Sequence, residues 1–248
     1  MLRDCKWEIQ LTSEVPSAWR GVPLPLDEMH DIIGGMQAYY DERATQYDDW
    51  YNHVNLYDDP PNNNAWHAEV AQLTEWVQAF GQGRLLEIAS GTGWWTRRLA
   101  QRAAVTTLDY APAMIAVLRG RLRAEGVSAD VTRGDAYRLP YASGAFDACF
   151  FGFWLSHVPS PLLDTFFGEV CRVVRQGGRV MIVDSKPFRG EAPGAELKQE
   201  RVLNDGSRHQ IVKVYHTPES LRALLEQYGA NVETRTTGRF FTVGEFVV

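Results

Sequence analysis

The residues best suited to chemistry form a turn of small side chains: Ala89, Ser90, Gly91, Thr92 and Gly93. The turn follows Leu85, Leu86 and Ile88, a short apolar set that is typical of a buried parallel strand. Ala89, Gly91 and Gly93 carry little or no side chain, so a ligand can approach the backbone N–H groups closely. Asp109 ends the next strand-like run 18 residues after Gly91, a spacing that suits a carboxylate holding the two hydroxyls of a ribose.

Two classes of cofactor share this geometry. A dinucleotide-binding fingerprint has its third glycine at the position of Thr96, so that pattern is incomplete here. The segment 85–93, Leu-Leu-Glu-Ile-Ala-Ser-Gly-Thr-Gly, resembles the first motif of the Rossmann-like S-adenosylmethionine-dependent methyltransferases, with Ala89 in place of the family's usual glycine. The resemblance implies that Glu87 acts by hydrogen bonding beneath the methionine end of the cofactor, and that the turn meets this end through backbone contacts.

Later segments continue the resemblance at compatible distances. It implies that Asp109 holds the ribose and that Tyr110 and Met114 enclose the adenine. Asp135 matches the acidic residue that, in this family, accepts a hydrogen bond from the adenine amino group. The implied cofactor-binding residues are Tyr47, Glu87, Ala89, Ser90, Gly91, Trp95, Asp109, Tyr110, Met114, Asp135, Ala136, Phe151 and Gly152.

His157 follows the fourth predicted strand, at the point where the family that the sequence resembles delivers the methyl group. A histidine has a reference pKa of about 6.5 and can take a proton from a hydroxyl or amine acceptor. The alternative is a histidine that is hydrogen-bonded to the backbone for structural reasons, and the sequence does not decide between the two. If His157 is a general base, catalysis should show an ionisation between about pH 5.5 and 7.5.

An aromatic segment lies ahead of the predicted sheet, because seven of the chain's 18 Trp and Tyr residues fall between positions 36 and 66. Rings with polar tips suit the wall of a pocket that takes an organic substrate and excludes water, with core packing as the alternative for each ring. Tyr39, Tyr40 and Tyr47 resemble the N-terminal cap of small-molecule methyltransferases. We therefore expect Tyr47 to close over the cofactor and Tyr39 or Tyr40 to orient the acceptor beside His157.

The periodicity predicts an α/β fold with two leading helices, five β/α units and a closing antiparallel hairpin. The resemblance implies a Rossmann-like, seven-stranded, mostly parallel sheet with an antiparallel last strand, helices on both faces and an N-terminal helical cap. We assign residues 1–63 to an N-terminal arm and an aromatic helical cap, and residues 64–248 to a single methyltransferase domain. We expect Gly34-Gly35 to break the first helix and Asn64 to cap the next one. We expect the polar residues 186–206 to form a surface segment over the rim of the pocket, a surface excursion from the sheet.

The composition disfavours several functions. A formal net charge of −6 and an isoelectric point near 5.5 argue against a nucleic-acid surface. Three scattered cysteines are too few for a disulfide framework or a zinc site, and we expect no bound metal. The sequence has no apolar run long enough to span a membrane. We expect a soluble cytoplasmic protein that acts on a small, largely planar molecule, and the oligomeric state stays unknown.

The implied activity is methyl transfer from S-adenosyl-L-methionine to an O-, N- or C-nucleophile of a small organic acceptor. Two other functions remain open. A regulatory protein that binds the cofactor without transferring its methyl group would have the same fold. A nicotinamide-dependent oxidoreductase is disfavoured by Thr96 and by the absence of a recognisable Lys/Tyr or Ser/Tyr pair.

Overall fold

The computed structural model describes residues 26–187 and 196–248, so the arm predicted for residues 1–26 lies almost entirely outside the described residues. The helices are α1 (Leu26–Arg43), α2 (Asp49–Asn52), α3 (Asn63–Phe80), α4 (Thr96–Leu99), α5 (Pro112–Glu125), α6 (Leu163–Val173) and α7 (Pro218–Leu225). The strands are β1 (Arg84–Ile88), β2 (Ala104–Asp109), β3 (Asp130–Arg133), β4 (Phe146–Gly152), β5 (Val174–Ser185), β6 (Glu196–Val202), β7 (Arg208–Val214), β8 (Ala230–Thr236) and β9 (Phe241–Val247). None of these described helices is long and apolar enough to cross a membrane.

Seven strands form one sheet in the order β3-β2-β1-β4-β5-β9-β8. The first five strands are parallel, whereas β9 runs antiparallel to both β5 and β8. This topology confirms the predicted Rossmann-like sheet and its closing hairpin. The strand order reverses between β1 and β4, and ligands bind at the carboxyl ends of the strands beside such a reversal.

Apolar side chains alternate between the two faces of the sheet. Leu86 and Ile88 of β1 pack with residues of α6 and α7, whereas Leu85 packs with residues of α3 on the other face. All three side chains are fully buried. Because helices cover both faces, a strand of this sheet is an almost continuous apolar run, which is the pattern in the sequence.

Three helix signals have different outcomes. Pro112, which suits the first turn of a helix, begins α5, and Gly126 ends it with φ +65°. Thr217 begins α7 through a capping box with Ser220. The cap predicted at Asn64 is wrong, because α3 begins at Asn63. Asn62 immediately precedes the helix, and its side chain donates to Asp59 at 2.6 Å instead of capping the helix.

The predicted break at Gly34-Gly35 is also wrong, since α1 runs without interruption from Leu26 to Arg43. An added Cβ at either glycine would meet nothing within 4 Å, so neither residue marks a tight contact. Ile32, Met36 and Tyr39 pack against apolar residues of β7. This tertiary packing outweighs the low helix propensity of glycine.

A second, two-stranded antiparallel sheet consists of β6 and β7. The surface excursion predicted for 186–206 is therefore incorrect for Glu196–Val202, which is a strand, and 188–195 lies outside the described residues. Ile211, Val212 and Val214 of β7 pack on α1. The β6–β7 hairpin and α1 thus form one layer beside the main sheet.

Gly93 is a position where the fold needs glycine, because its φ is +79° and an added Cβ would lie 2.2 Å from Cδ1 of the buried Leu118. We expect Gly93→Ala to lower the free energy of unfolding by on the order of 1–3 kcal/mol through backbone strain and overpacking. Urea denaturation measures this change. Gly120→Ala is the control, since Gly120 lies in α5 with open space around its Cα and alanine should stabilise the helix.

Candidate active site

A cavity of about 270 Å³ lies at the carboxyl edge of β1 to β4. Residues of α1 and of the segment after it form its other wall. The residues predicted from the sequence that line the cavity are Tyr40, Tyr47, Ala89, Gly91, Asp109, Tyr110, Met114, Asp135, Ala136, Gly152 and His157. The fold therefore brings most of the predicted site residues together around one space.

Asp109 stands at the carboxyl end of β2 and is 9% exposed. Its Oδ2 accepts the N–H of Gly91 at 2.7 Å, and its Oδ1 accepts the N–H of Ala111 at 2.9 Å. Burial raises the pKa of Asp109, and these two backbone donors oppose the shift. Each carboxylate oxygen can accept more than one hydrogen bond, so Asp109 can also hold hydroxyl groups in the cavity.

The end of the cavity beside β3 combines an exposed ring with polar acceptors. Tyr110 is 52% exposed, and the guanidinium of Arg133 lies 5.7 Å from its ring centroid. Met114 is buried at the cavity wall. Asp135 is exposed, lines the cavity and accepts the N–H of Tyr137 at 2.8 Å. A planar base with an exocyclic amino group fits these surfaces.

Two cavity residues other than glycine have left-handed backbone conformations, Ala89 with φ +54° and Phe153 with φ +59°. Ala89 occupies the position where the family that the sequence resembles usually has glycine. A residue with a Cβ is strained in this region by on the order of 1–2 kcal/mol. Position 89 therefore has a left-handed backbone although alanine, and not glycine, occupies it. This indicates that the shape of the turn is required.

Two aspartates of the cap accept hydrogen bonds that hold it on the glycine turn and on the start of α5. Asp48 accepts from the hydroxyl of Thr92 at 2.6 Å and also pairs with Arg121. Asp41 accepts the N–H of Ala113 at 2.9 Å, at the start of α5. These contacts bring the ring of Tyr47 to within 3.6 Å of the place that a Cβ would take at Gly91.

His157 is buried and uses both ring nitrogens. Nδ1 lies 2.7 Å from the carbonyl oxygen of Val212 and must donate to it, because a carbonyl only accepts. Nε2 lies 2.9 Å from the hydroxyl oxygen of Tyr40 and, in the neutral ring, accepts from that hydroxyl. Burial and then the positive charge of Lys213 lower the pKa of His157 to about 3. The ring is therefore neutral at physiological pH, and this pKa lies below the range of 5.5 to 7.5 that a general-base role predicts.

A buried ion pair lies behind His157. Lys213 donates to the hydroxyl of Ser156 at 2.6 Å and to Oδ1 of Asp184 at 3.3 Å. Asp184 also accepts the N–H of Ser156 at 2.8 Å. Burial alone would raise the pKa of Asp184, but Lys213 and the Ser156 N–H lower it below its usual value. The β6–β7 hairpin is thus joined to the loop that carries His157.

Five predicted site residues do not line the cavity. Tyr39 is buried between α1 and β7, Phe151 lies in the main core, and Trp95 packs behind Gly152. Ser90 is buried, and its hydroxyl has no partner among the described residues. Glu87 is 1% exposed and accepts from the Thr96 hydroxyl at 2.5 Å, and burial raises its pKa to about 8. Any effect of these five residues on a ligand is therefore indirect in this conformation.

Several residues that line the cavity were not assigned to the site from the sequence: Gly34, Met36, Gln37, Leu108, Ala111, Gly134 and Tyr137. Phe153 and Trp154, which lie between the predicted residues Gly152 and His157, also line it. Lys213 carried a readable signal, because a charge in the apolar run Ile211 to Val214 predicts a buried partner. Arg43, which the structure places among three tyrosine rings, lies four residues from Tyr39 and four from Tyr47. That spacing places side chains on one helical face.

The cavity fits an adenosine that carries a short polar chain. Acceptors from Asp109 and Asp135 stand at one end, and Gly91 of the glycine turn lines the cavity beneath the ring of Tyr47. Trp154, in the cavity wall, has a buried Nε1–H with no partner among the described residues. The described part of the chain contains no cluster of three His, Cys, Asp or Glu residues that could hold a metal ion.

Comparison with protein families gives a match over residues 85–178 to the family described as "Methyltransferase domain". The demethylmenaquinone methyltransferase of Thermus thermophilus is 30% identical over 166 residues, which cover 60% of this chain and 74% of that protein. The ubiquinone/menaquinone biosynthesis C-methyltransferase of Chromobacterium violaceum is 28% identical, over 59% of this chain and 66% of that protein. Matches to further proteins with these names span about half of their lengths, for example 46% and 49%.

Two solved structures resemble almost the whole described chain. A structure described as the DhpI-SAH complex is 30% identical, with a TM-score of 0.68, and the match covers 87% of this chain and 96% of that one. The DhpI-SAM-HEP complex has a TM-score of 0.69 at 30% identity and covers 87% and 97%. Both similarities extend beyond the residues matched by the family comparison.

Glu87 gives a test of how burial controls the site. Because burial raises the pKa of Glu87, the folded protein retains the Glu87 proton at pH values where the unfolded chain has lost it. The contribution of Glu87 to the free energy of unfolding therefore falls as the pH rises from about 4.5 to about 8. We expect Glu87→Gln to stabilise the protein by on the order of 3–5 kcal/mol at pH 9 and very little at pH 4.5, since Gln still accepts from Thr96.

Urea denaturation of both proteins across this pH range measures the difference. Glu233→Gln, at an exposed position of β8, is the matched surface control. A stability difference between wild type and Glu87→Gln that does not change with pH would show that folding does not raise the pKa of Glu87.

Proposed function

We propose that the cavity of this chain, which belongs to the Rossmann-like S-adenosylmethionine-dependent methyltransferases, holds the cofactor at the glycine turn. A small acceptor binds beside the cofactor and is already nucleophilic when it binds. The enzyme transfers a methyl group to a small molecule. We assign the residues that bind the cofactor and the chemical class of the acceptor. The hydrogen bonding of His157 is the observation that carries it.

The cofactor positions follow from the two ends of the cavity. We assign the ribose to Asp109, the adenine to Tyr110, Met114 and the Asp135 side, and the amino-acid end to the glycine turn under Tyr47. When bound, S-adenosylmethionine supplies an activated methyl group on a sulfonium leaving group. The residues of the chain then have to align the acceptor and exclude water.

The acceptor end lies beside β4, where Met36, Gln37, Tyr40, Trp154 and His157 line the cavity. His157 cannot serve as an effective base there, because its pKa is lowered to about 3 by burial and by Lys213. Its Nε2 is also occupied by the Tyr40 hydroxyl. We therefore assign Tyr40 and His157 an orienting role, in which His157 fixes the proton of Tyr40 and leaves the phenolic oxygen as an acceptor toward the cavity.

Arg201 adds positive charge near this end beyond the Lys213–Asp184 ion pair, and this charge favours an anionic acceptor. Lys213 and Arg201 both lower the pKa of His157 while Asp184 opposes them, and Arg201 acts in the same direction on Tyr40 against the larger effect of burial. Such a potential stabilises an oxyanion and raises the fraction of an acidic acceptor that is ionised. A carboxylate, a phosphonate or an acidic phenol would need no base from the protein. O-methylation of a small acid is accordingly the acceptor class that we propose first.

A second candidate is C-methylation of a quinol-like ring. The aromatic residues Tyr40, Phe153 and Trp154 in the wall favour a planar acceptor, and two relatives are named as quinone-pathway methyltransferases. A screen with labelled methyl donor separates the two classes when it pairs each small carboxylic, phosphonic or phenolic acid with its neutral amide or ester. Turnover of the acids alone supports O-methylation, whereas turnover of quinols alone supports the second class.

Asp109→Ala tests the cofactor assignment. The variant loses the charge-assisted hydrogen bonds to the ribose, so we expect it to weaken S-adenosylmethionine binding by on the order of 2–4 kcal/mol in isothermal titration. Asp130→Ala, at the exposed start of β3, is the matched control. Equal affinity in the wild type and in Asp109→Ala would refute the assignment of Asp109.

His157→Gln tests the orienting role. The Gln side chain can replace Nε2 as the acceptor for Tyr40, so we expect the single-turnover rate to fall by less than about tenfold, whereas His157→Ala should lose more. Rates at saturating cofactor and acceptor should show no ionisation of His157 between pH 5.5 and 7.5. An ionisation in this range that is present in wild type and missing in His157→Gln would restore the general-base role.

A further inference from the structure

The glycine pair Gly34-Gly35 is a sequence feature that the fold leaves unexplained. The helix α1 passes through both residues without a break, although each glycine costs about 1 kcal/mol relative to alanine. Neither residue has a positive φ, and a Cβ added at either would meet none of the described atoms within 4 Å. Backbone conformation and packing against the described residues therefore do not require glycine at these two positions.

The cavity distinguishes Gly34 from the other helical glycines that have open space around them. Gly35, Gly120 and Gly168 also have this open space, but they do not line the cavity, whereas Gly34 does. Gly34 is exposed as well, so it lies where the cavity opens to solvent. A side chain at position 34 would stand at the rim of this opening, and glycine leaves the rim clear.

The opening at Gly34 belongs to the acceptor end of the cavity. Tyr110 and Asp135 are also exposed in the cavity wall, but they lie at the opposite end, to which we assign the adenine. Gly34 is three residues from Gln37, and residues at this spacing are neighbours on a helix surface. Because Gln37 lines the acceptor end, this end opens to solvent beside Gly34.

The helix α1 sets the distance from this opening to the group that holds the acceptor. A helix rises about 1.5 Å per residue, so Gly34 lies about 9 Å from Tyr40 along the axis of α1. Ala44, which packs with Met114 at the cofactor end, lies on the other side of Tyr40 along the helix. An acceptor held by the Tyr40 hydroxyl would need a substituent of about this length to reach the opening.

Packing holds the rim of the opening in place. Ile32 and Met36, on either side of Gly34 in the sequence, are buried against apolar residues of β7. The rim therefore cannot move away from a side chain placed at position 34. The width of the opening is set by the residue at this position.

We propose that Gly34 determines which acceptors the enzyme takes: the acceptor carries an unbranched substituent that leaves the cavity over Gly34 while the group to be methylated is held beside Tyr40. The inference rests on the proposed function, because it needs an acceptor at this end of the cavity. It deepens that function by making the acceptor an elongated molecule with a polar head. Its test compares acceptors that have the same head and different lengths.

Three series of acceptors provide this comparison: straight-chain carboxylates, alkylphosphonates and alkylhydroquinones, each with chains from ethyl to octyl. Transfer of a labelled methyl group to each compound gives kcat/KM. Wild type should keep or increase its kcat/KM as the chain lengthens. In Gly34→Leu the ratio of kcat/KM for the octyl compound to that for the ethyl compound should fall by about 10- to 100-fold, because leucine stands in the path of the long chain. Gly34→Ala should show the same dependence on chain length with a smaller loss.

Gly35→Leu is the matched control. Gly35 lies in the same helix, is also exposed and has the same open space, but does not line the cavity. This variant should treat short and long acceptors as wild type does. Both leucine variants should melt at or above the wild-type temperature, because leucine forms helix better than glycine, so a loss confined to Gly34→Leu does not come from unfolding.

Three results would overturn the proposal and leave the proposed function standing. They are an equal loss for short and long acceptors in Gly34→Leu, the same dependence on chain length in Gly35→Leu, and a wild type that methylates ethyl compounds but rejects octyl compounds. If wild type methylates no member of the three series, the proposed function fails and the role of Gly34 fails with it.

Discussion

The site depends on the contact between one carboxylate and two backbone N–H groups. Asp109, at the end of β2, accepts from Gly91 after β1 and from Ala111 before α5, and so fixes the two loops that border the cavity. A parallel sheet fixes the ends of its strands but not the loops beyond them. The Asp109 carboxylate supplies that missing constraint, which explains how the glycine turn keeps its shape with alanine at position 89.

The strain and the cap act on the same two loops. Ala89 after β1 and Phe153 after β4 both have left-handed backbones, and both line the cavity. Strain of this kind persists only where surrounding contacts determine the backbone. Asp48 supplies such contacts after β1, by binding Thr92 and Arg121, while Lys213 and Asp184 supply them after β4 through Ser156. The cap and the β6–β7 hairpin therefore shape the cavity as well as cover it.

The sequence was most informative where a local pattern has one physical cause. Apolar runs and a small-residue turn predicted the parallel sheet and the position of Asp109, because burial on both faces and close approach to the backbone restrict residue types directly. The sequence could not show that Tyr39 faces β7 while Tyr40 faces His157. Adjacent helical residues point about 100° apart, and the pattern does not say which partner lies on each side. Nor could it give the pKa of His157, which depends on burial and on Lys213, 56 residues away in the sequence.

Burial sets the chemistry of the site by removing charge from its titratable groups. Glu87 is protonated below about pH 8 and His157 is neutral above about pH 3, so neither the acid beneath the glycine turn nor the base beside the acceptor end carries charge at pH 7. The remaining charges near the acceptor end are the ion pair of Lys213 with Asp184 and the guanidinium of Arg201. A site of this kind cannot create a nucleophile by removing a proton, but it can hold one that arrives ionised. Selectivity would then come from the acidity of the acceptor in solution and its fit between the aromatic walls, while the rate would come from alignment.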